Sequence, residues 1–244
     1  MKVKNILVSQ PTPPEKSPYY EIEKKFGVNL TFKPFIRIEP LTAKEFRTQK
    51  IFVPDYTAIV FTSRTSVDHF FLLCTELRAP INEELHYFCL SETIALYLQK
   101  YITFRKRKVH FSKTARIDDL ALVMKKHNKE NFLMPVSDIH KEDLTVFTKA
   151  KVSVTTAVMY RTVSAEITPA EIKQYDMLCL FTPMGIQSIY ENDPDYQQGE
   201  QLMAIFGNAT KAAAEARQLR IDIAAPTVDC PSMPSAINDY LSRQ

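Results

Sequence analysis

Five short stretches put hydroxyl or amide side chains where an apolar run ends and a helix-period pattern begins: Thr62-Ser63-Arg64, Ser91-Glu92-Thr93, Ser137-Asp138, Thr182-Pro183-Met184 and Asn208-Ala209-Thr210. Such residues have two uses there. They are favoured helix N-caps, whose oxygen accepts one of the N–H groups left unpaired in the first turn. They also mark places where free N–H groups and the positive end of a helix dipole hold an anion, each terminus adding roughly 0.3–1 kcal/mol per carboxylate. Capping explains any one turn by itself. Several turns facing one sheet edge favour the second use, because ligands of open α/β sheets bind where strands end and helices begin. The pattern predicts a receptor for a small polycarboxylate, built mainly from backbone.

Other chemistries lack their residues. With four glycines in the chain, no G-x-G-x-x-G or P-loop is present, which argues against classical dinucleotide or nucleoside triphosphate binding. Cys74, Cys89, Cys179 and Cys230 form no C-x-x-C pair and read as buried thiols. His69, His86, His110, His127 and His140 show no H-x-x-x-H spacing and no neighbouring ligand set, so no metal is expected. A net charge of +3 is too small to imply a nucleic-acid partner, and the dense Arg105-Lys106-Arg107-Lys108 run reads as a solvated strand entrance. No stretch approaches the roughly 20 apolar residues that span a bilayer, and the opening residues resemble neither a signal nor a transit peptide. The expectation is a cytoplasmic protein without a membrane partner, acting as a monomer.

The turns need a scaffold, and the hydropathy pattern describes one. Apolar runs at 5–8, 30–33, 57–61, 87–90, 109–111, 131–134, 152–158, 177–181, 203–206 and 221–224 alternate with helix-length segments. Strands joined by crossover helices pair in parallel, which is an α/β fold. Ser17-Pro18 is an N-cap and N1 proline for a first helix that Gly27 closes. The stretch from Tyr56 aligns with that from Tyr175, and 87–93 aligns with 204–210, so two similar domains are implied. The second repeat has only three strands unless the first 34 residues, strand–helix–strand, fold back onto it. The expected division is therefore 1–35 with 163–244 as a discontinuous first domain, and 36–162 as the second. Each is expected to hold a parallel five-stranded sheet flanked by helices. The crossings at 33–40, bracketed by Pro34 and Pro40, and at 157–164 would be two parallel segments making a two-stranded β linker with a cleft beside it. Capping boxes follow each crossing, Thr42 with Glu45 and Thr168 with Glu171.

Over essentially its whole length the sequence resembles the uroporphyrinogen-III synthase family, which has two α/β domains joined by a β ladder. The residues that carry the likeness are IVFTSRTSV (59–67), similar to the family's FTS-x-x-G-V turn, and FTPMGI (181–186), which includes Gly185 and looks like its FTSPSG turn one residue shorter. IFGNATKAAAEARQLRIDIAAPT (205–227) is similar to the IG-x-x-TA helix and its following strand, and VMYRTV (158–163) matches the return crossing. The order of the motifs adds to each short match. Thr65 and Ser66 stand where the first turn has asparagine and glycine, Leu90 where glycine is usual, and Gln10 where arginine is common.

The resemblance implies a cyclising lyase of haem biosynthesis that needs no cofactor. Its substrate is hydroxymethylbilane, a linear tetrapyrrole carrying acetate and propionate arms, closed with loss of water and inversion of ring D through an azafulvene cation and a spiro intermediate. The substrate closes unaided to the uninverted isomer, so the protein chiefly imposes one folded conformation. Taken by itself Tyr160, expected beside the cleft rather than inside either core, reads as a tyrosine packing the linker against a domain face; the resemblance instead assigns it as the acid assisting loss of the hydroxyl. A phenol, with pKa about 10, is protonated at neutral pH, and a positioned acid contributes on the order of 10²–10⁴-fold. Thr62, Ser63, Arg64, Ser91, Glu92, Thr93, Ser137, Thr182, Pro183, Met184, Gly185, Asn208 and Thr210 are the candidate substrate-binding residues. Two other readings stay open at this point: a non-catalytic two-domain module clamping an anion or a tetrapyrrole, and a response-regulator-like or nucleic-acid module. The latter lacks an acidic phosphoacceptor cluster and a basic face.

Overall fold

The computed structural model describes residues 3–139 and 144–244. His140 of the histidine set lies outside them. In chain order the elements begin with β1 (Asn5–Val8), α1 (Pro18–Phe26), β2 (Asn29–Phe32) and β3 (Ile36–Pro40). Then come α2 (Ala43–Arg47), β4 (Ala58–Phe61), α3 (Arg64–Leu77), β5 (His86–Cys89), α4 (Glu92–Tyr97), β6 (Val109–Phe111), α5 (Ile117–Lys125), β7 (Phe132–Ser137), α6 (Thr145–Lys149) and β8 (Val154–Ser164). The chain ends with α7 (Pro169–Lys173), β9 (Met177–Leu180), α8 (Pro183–Asn192), β10 (Leu202–Phe206), α9 (Asn208–Ala216), β11 (Ile223–Ala225) and α10 (Met233–Ser242). Packing divides the chain into two compact units, residues 1–37 with 163–244, and residues 38–162.

The first unit is built on a five-stranded sheet of order β11-β10-β9-β1-β2. All four of its pairings are parallel, so β1 and β2 complete a sheet whose other strands come from the far end of the chain. Side chains alternate across the pleat. Ile6, Val8, Met177 and Cys179 pack with Tyr19 and Ile22 of α1 and Met233 and Ile237 of α10. Leu7, Leu178, Leu180 and Met203 face the other way, toward Ile172 of α7 and Ile186 and Ile189 of α8. Ser17 caps α1 and Gly27 closes it in the left-handed region, φ 66°, where a Cβ would be strained.

The second unit departs from the five expected strands. Its sheet has six, in the order β3-β8-β7-β4-β5-β6. Strands β8, β7, β4, β5 and β6 pair in parallel, and the outgoing crossing adds itself as β3 at the edge beside β8. The return crossing is likewise no separate segment, since Val154–Ser164 is one continuous strand. Nor do the crossings run parallel. The Phe35 carbonyl accepts from the Ala165 N–H (2.9 Å) and that of Met159 from the Leu41 N–H (3.0 Å), so partner numbers fall as the other strand's rise. A chain that leaves along one strand and returns along its neighbour is antiparallel by construction.

Both faces of this sheet are covered. Ile59, Phe61, Tyr87 and Leu133 meet Phe46 of α2 and Val67, Phe70 and Phe71 of α3. Ala58, Val60, Phe88, Phe132 and Met134 meet Leu120, Ala121 and Met124 of α5 and Phe147 of α6. Both predicted capping boxes form, Thr42 with Glu45 on α2 and Thr168 with Glu171 on α7. Cys74, Cys89 and Cys179 are buried free thiols, and burial pushes those of Cys74 and Cys89 up to about 12. Among the described residues no helix is long and apolar enough to cross a membrane.

Candidate functional site

In the second unit, parallel pairing sends the C-terminal ends of β8, β7, β4 and β5 to one sheet edge. That edge carries Ser137 at the end of β7, Thr62-Ser63-Arg64 after β4 and Ser91-Glu92-Thr93 after β5, one strand spacing of about 4.8 Å apart in turn. The first unit repeats the device on adjacent strands, with Thr182 to Gly185 following β9 and Asn208 to Thr210 following β10.

Three of the predicted hydroxyls, those of Ser63, Ser91 and Thr182, are in use as caps. The Ser63 hydroxyl accepts from the Ser66 N–H at 3.0 Å, while Ser66 Oγ accepts from the Ser63 N–H at 3.2 Å. Ser66 thus makes the reciprocal half of a capping box that glycine, the family's usual residue there, could not. Ser91 accepts from the Ile94 N–H at 3.4 Å and lies 2.8 Å from the Thr93 hydroxyl. Thr182 accepts from the Gly185 N–H at 3.1 Å. Pro183 and Met184 form the first turn of α8, with Pro183 exposed and Gly185 buried. Asn208 is exposed at the start of α9, behind Gly207 at φ 86°. Thr210 is a correction: it is 2% exposed and packed inward, so it offers a ligand no hydroxyl.

Arg64 and Glu92 are exposed at the first positions of α3 and α4. The Arg64 guanidinium lies over the Tyr97 ring, 5.3 Å from its centroid, and has no ion-pair partner among the described residues. Tyr97 is fixed in turn by Asp68 of α3, whose carboxylate accepts from the Tyr97 hydroxyl at 2.9 Å, from Lys100 Nζ at 3.0 Å, and from the Tyr101 hydroxyl. Burial works to raise the Asp68 carboxyl, but the bonds from Tyr101, Lys100 and Tyr97 outweigh it and hold it below the usual range. Two members of the Arg105–Lys108 run are committed elsewhere. Lys108 is 5% exposed and pairs with Glu84 at 2.6 Å, and Arg105 pairs with Glu83 at 3.2 Å.

Tyr160 also requires a correction, because it belongs to the second unit's core at 9% exposure. The cause is a register shift: β7 and β8 pair Val136 with Val158 but Ser137 with Tyr160. This β-bulge breaks the alternation, so Ala157, Met159 and Tyr160 all face the α3 side. There the tyrosine ring meets His69 of α3, centroids 4.8 Å apart, and His69 Nδ1 donates to the Thr65 carbonyl at 2.8 Å. An unbroken pleat would have turned Tyr160 to the opposite face.

Sequence reasoning missed one grouping. His86, His110 and His127, far apart in the chain, converge with ring nitrogens within 4.8 Å of one another. Burial, then the neighbouring His127 and His86, push His110 down to about 4. The available signal was that His86 and His110 sit on consecutive strands of one parallel sheet.

The family model for uroporphyrinogen-III synthase HemD matches residues 19–234 of this chain. The chain belongs to the uroporphyrinogen-III synthase family. That membership places it among the cyclising enzymes of tetrapyrrole biosynthesis, whose substrates are small molecules. Among solved structures, a uroporphyrinogen-III synthetase from Helicobacter pylori has the same fold at 14% identity and TM-score 0.58, covering 99% of this chain and 100% of that one. A mutant uroporphyrinogen III synthase from Thermus thermophilus matches at 12% identity and TM-score 0.45, covering 99% and 100% respectively. No curated protein sequence matches the chain.

Proposed function

We propose that this protein is a uroporphyrinogen-III synthase, converting hydroxymethylbilane to uroporphyrinogen III with loss of water and inversion of ring D, without a cofactor. Within the family, the observation that carries the reading is that Tyr160, within β8, lies beside Ser137 at the end of β7, with Thr62 to Arg64 and Ser91 to Thr93 following the next two strands, β4 and β5. Backbone N–H groups at the helix starts suit the carboxylates of the acetate and propionate arms. Because the hydroxyls of Ser63 and Ser91 already serve as caps, these turns act mainly through shaped backbone, with Arg64 as the exposed cation.

Tyr160 is the proposed acid. Its ring is held against His69, and a neutral phenol donates a proton to the departing hydroxyl. Holding the linear substrate in one conformation supplies the rest, since uninverted closure needs no protein. The test mixes the protein with freshly generated hydroxymethylbilane and resolves the oxidised products. Isomer III is expected. Isomer I alone, with tight retention of the bilane, would instead identify a binding module of the same fold.

A further inference from the structure

β5 and β6 are parallel neighbours with Phe88 opposite His110. His86 precedes Phe88 by two residues, so His86, Phe88 and His110 project from one face of the sheet. α5 packs on that face through Leu120, Ala121 and Met124. The turn after α5 then lays His127 over the strands, its ring centroid 4.4 Å from that of His110 and 5.6 Å from that of His86. Phe88 backs the group, 4.7 Å from the His110 ring and 5.3 Å from that of His127.

What separates this group from ordinary aromatic packing is the direction of its nitrogens. His86 Nδ1 and His110 Nε2 share a hydrogen bond at 3.2 Å, one ring N–H donating to the other ring's bare nitrogen, and a nitrogen of His127 lies within 4.8 Å of a nitrogen of each. Nitrogens bound about 2.0–2.1 Å from a tetrahedral ion are about 3.3 Å apart. The His86–His110 separation already matches one edge of such a tetrahedron, and an ion would take the place of the shared proton. Closing the other two takes a movement of at most about 1.5 Å, which small rotations of a half-buried imidazole at a helix end supply. We infer that His86, His110 and His127 form a binding site for a borderline divalent transition ion, Zn²⁺ foremost, clipping the β5–β6 edge to the end of α5. Three neutral nitrogen donors suit Zn²⁺ and its neighbours and not Mg²⁺ or Ca²⁺, which take oxygen. The fourth position falls to water, as in other three-histidine sites. The site stands at the opposite end of β5 from the Ser91 turn, about 16 Å along the strand, and is independent of the carboxylate-binding edge.

The experiment uses the full chain stripped with a chelator. Calorimetric titration with Zn²⁺ is expected to give one ion per chain, and Co²⁺ a visible spectrum typical of tetrahedral coordination. Each of His86→Gln, His110→Gln and His127→Gln should weaken Zn²⁺ binding about 10- to 100-fold or more, by the magnitude usual even for weaker perturbations of metal sites. Imidazole ¹⁵N spectra of the unmutated protein provide a readout that survives a variant failing to fold. Zn²⁺ should shift His86, His110 and His127 and leave His69 unmoved, with Mg²⁺ and Ca²⁺ shifting none. Absence of stoichiometric binding, or Zn²⁺ shifts confined to other histidines, would overturn the site.

Discussion

Replacing Ser63 with alanine separates the two uses of a strand-end hydroxyl. The Ser63 oxygen is the sole acceptor among the described residues for the Ser66 N–H, and Ser66 is fully buried. Loss of an N-cap costs about 1 kcal/mol, within 0.5–2, and a buried N–H left without a partner puts this case near the upper end, about 2 kcal/mol. Thr182→Ala is the internal control. The Gly185 N–H that Thr182 caps has a second acceptor, the Thr182 carbonyl at 3.0 Å, so deleting the hydroxyl should cost about 0.5 kcal/mol. At an unfolding entropy of about 2.1 cal/mol/K per residue, the Ser63 change lowers the melting temperature by about 4 °C if the whole chain unfolds together, or about 8 °C if residues 38–162 unfold alone. Calorimetry and denaturant titration of both variants, beside the apparent affinity for hydroxymethylbilane, are the measurements. Stability should fall in the order stated, with affinity changed less than about threefold. Equal stability losses, or unchanged stability with a large loss of affinity at Ser63, would refute the assignment of this hydroxyl to capping.

Tyr160→Phe should leave the melting temperature within a few degrees and lower isomer-III formation on the order of 10²-fold or more; equal rates for variant and parent would reject the acid role. Arg64→Gln should raise KM about two- to fivefold with little change in kcat, as expected for an exposed cation that pairs with a substrate carboxylate, and an unchanged KM would remove Arg64 from the site. Glu45 and Glu171 are both lowered from 4.5 to about 2, Glu45 chiefly by the Thr42 backbone N–H and then by the Thr42 hydroxyl and Arg161, Glu171 chiefly by Lys33 and then by Thr168. A depressed carboxyl stabilises the fold above its unfolded value, so their contribution is intact above about 4.5 and lost as pH falls toward about 2. Carboxyl ¹³C titration should find both midpoints in that low range. Lys33→Gln should raise that of Glu171 more than Arg161→Gln raises that of Glu45, whose largest partner is backbone.

Much of the scaffold could be read from one-dimensional pattern, because the signals involved are local. Alternating apolar runs and helix periods marked the strands, and Ser17-Pro18, Gly27, Thr42 with Glu45 and Thr168 with Glu171 marked helix ends through bonds spanning only a few residues. The strand deficit of the last repeat was enough to bring β1 and β2 back beside β9. The hydroxyl turns were equally visible, and chain order alone put them after strands.

What sequence could not supply depends on register and on contacts between distant residues. The edge addition of β3 needs the length and direction of β8, which no composition reveals. The inward turn of Thr210 and the core position of Tyr160 follow from which side of an element faces its neighbour, and for Tyr160 from one extra residue in the β7–β8 ladder. A single-residue slip reverses every later side chain, and what fixes it is burial against the neighbouring elements, which the local sequence does not name. The meeting of His86, His110 and His127 arises the same way: the stagger of β5 against β6 and the seating of α5 bring their nitrogens together, and neither is encoded in the spacing of the histidines.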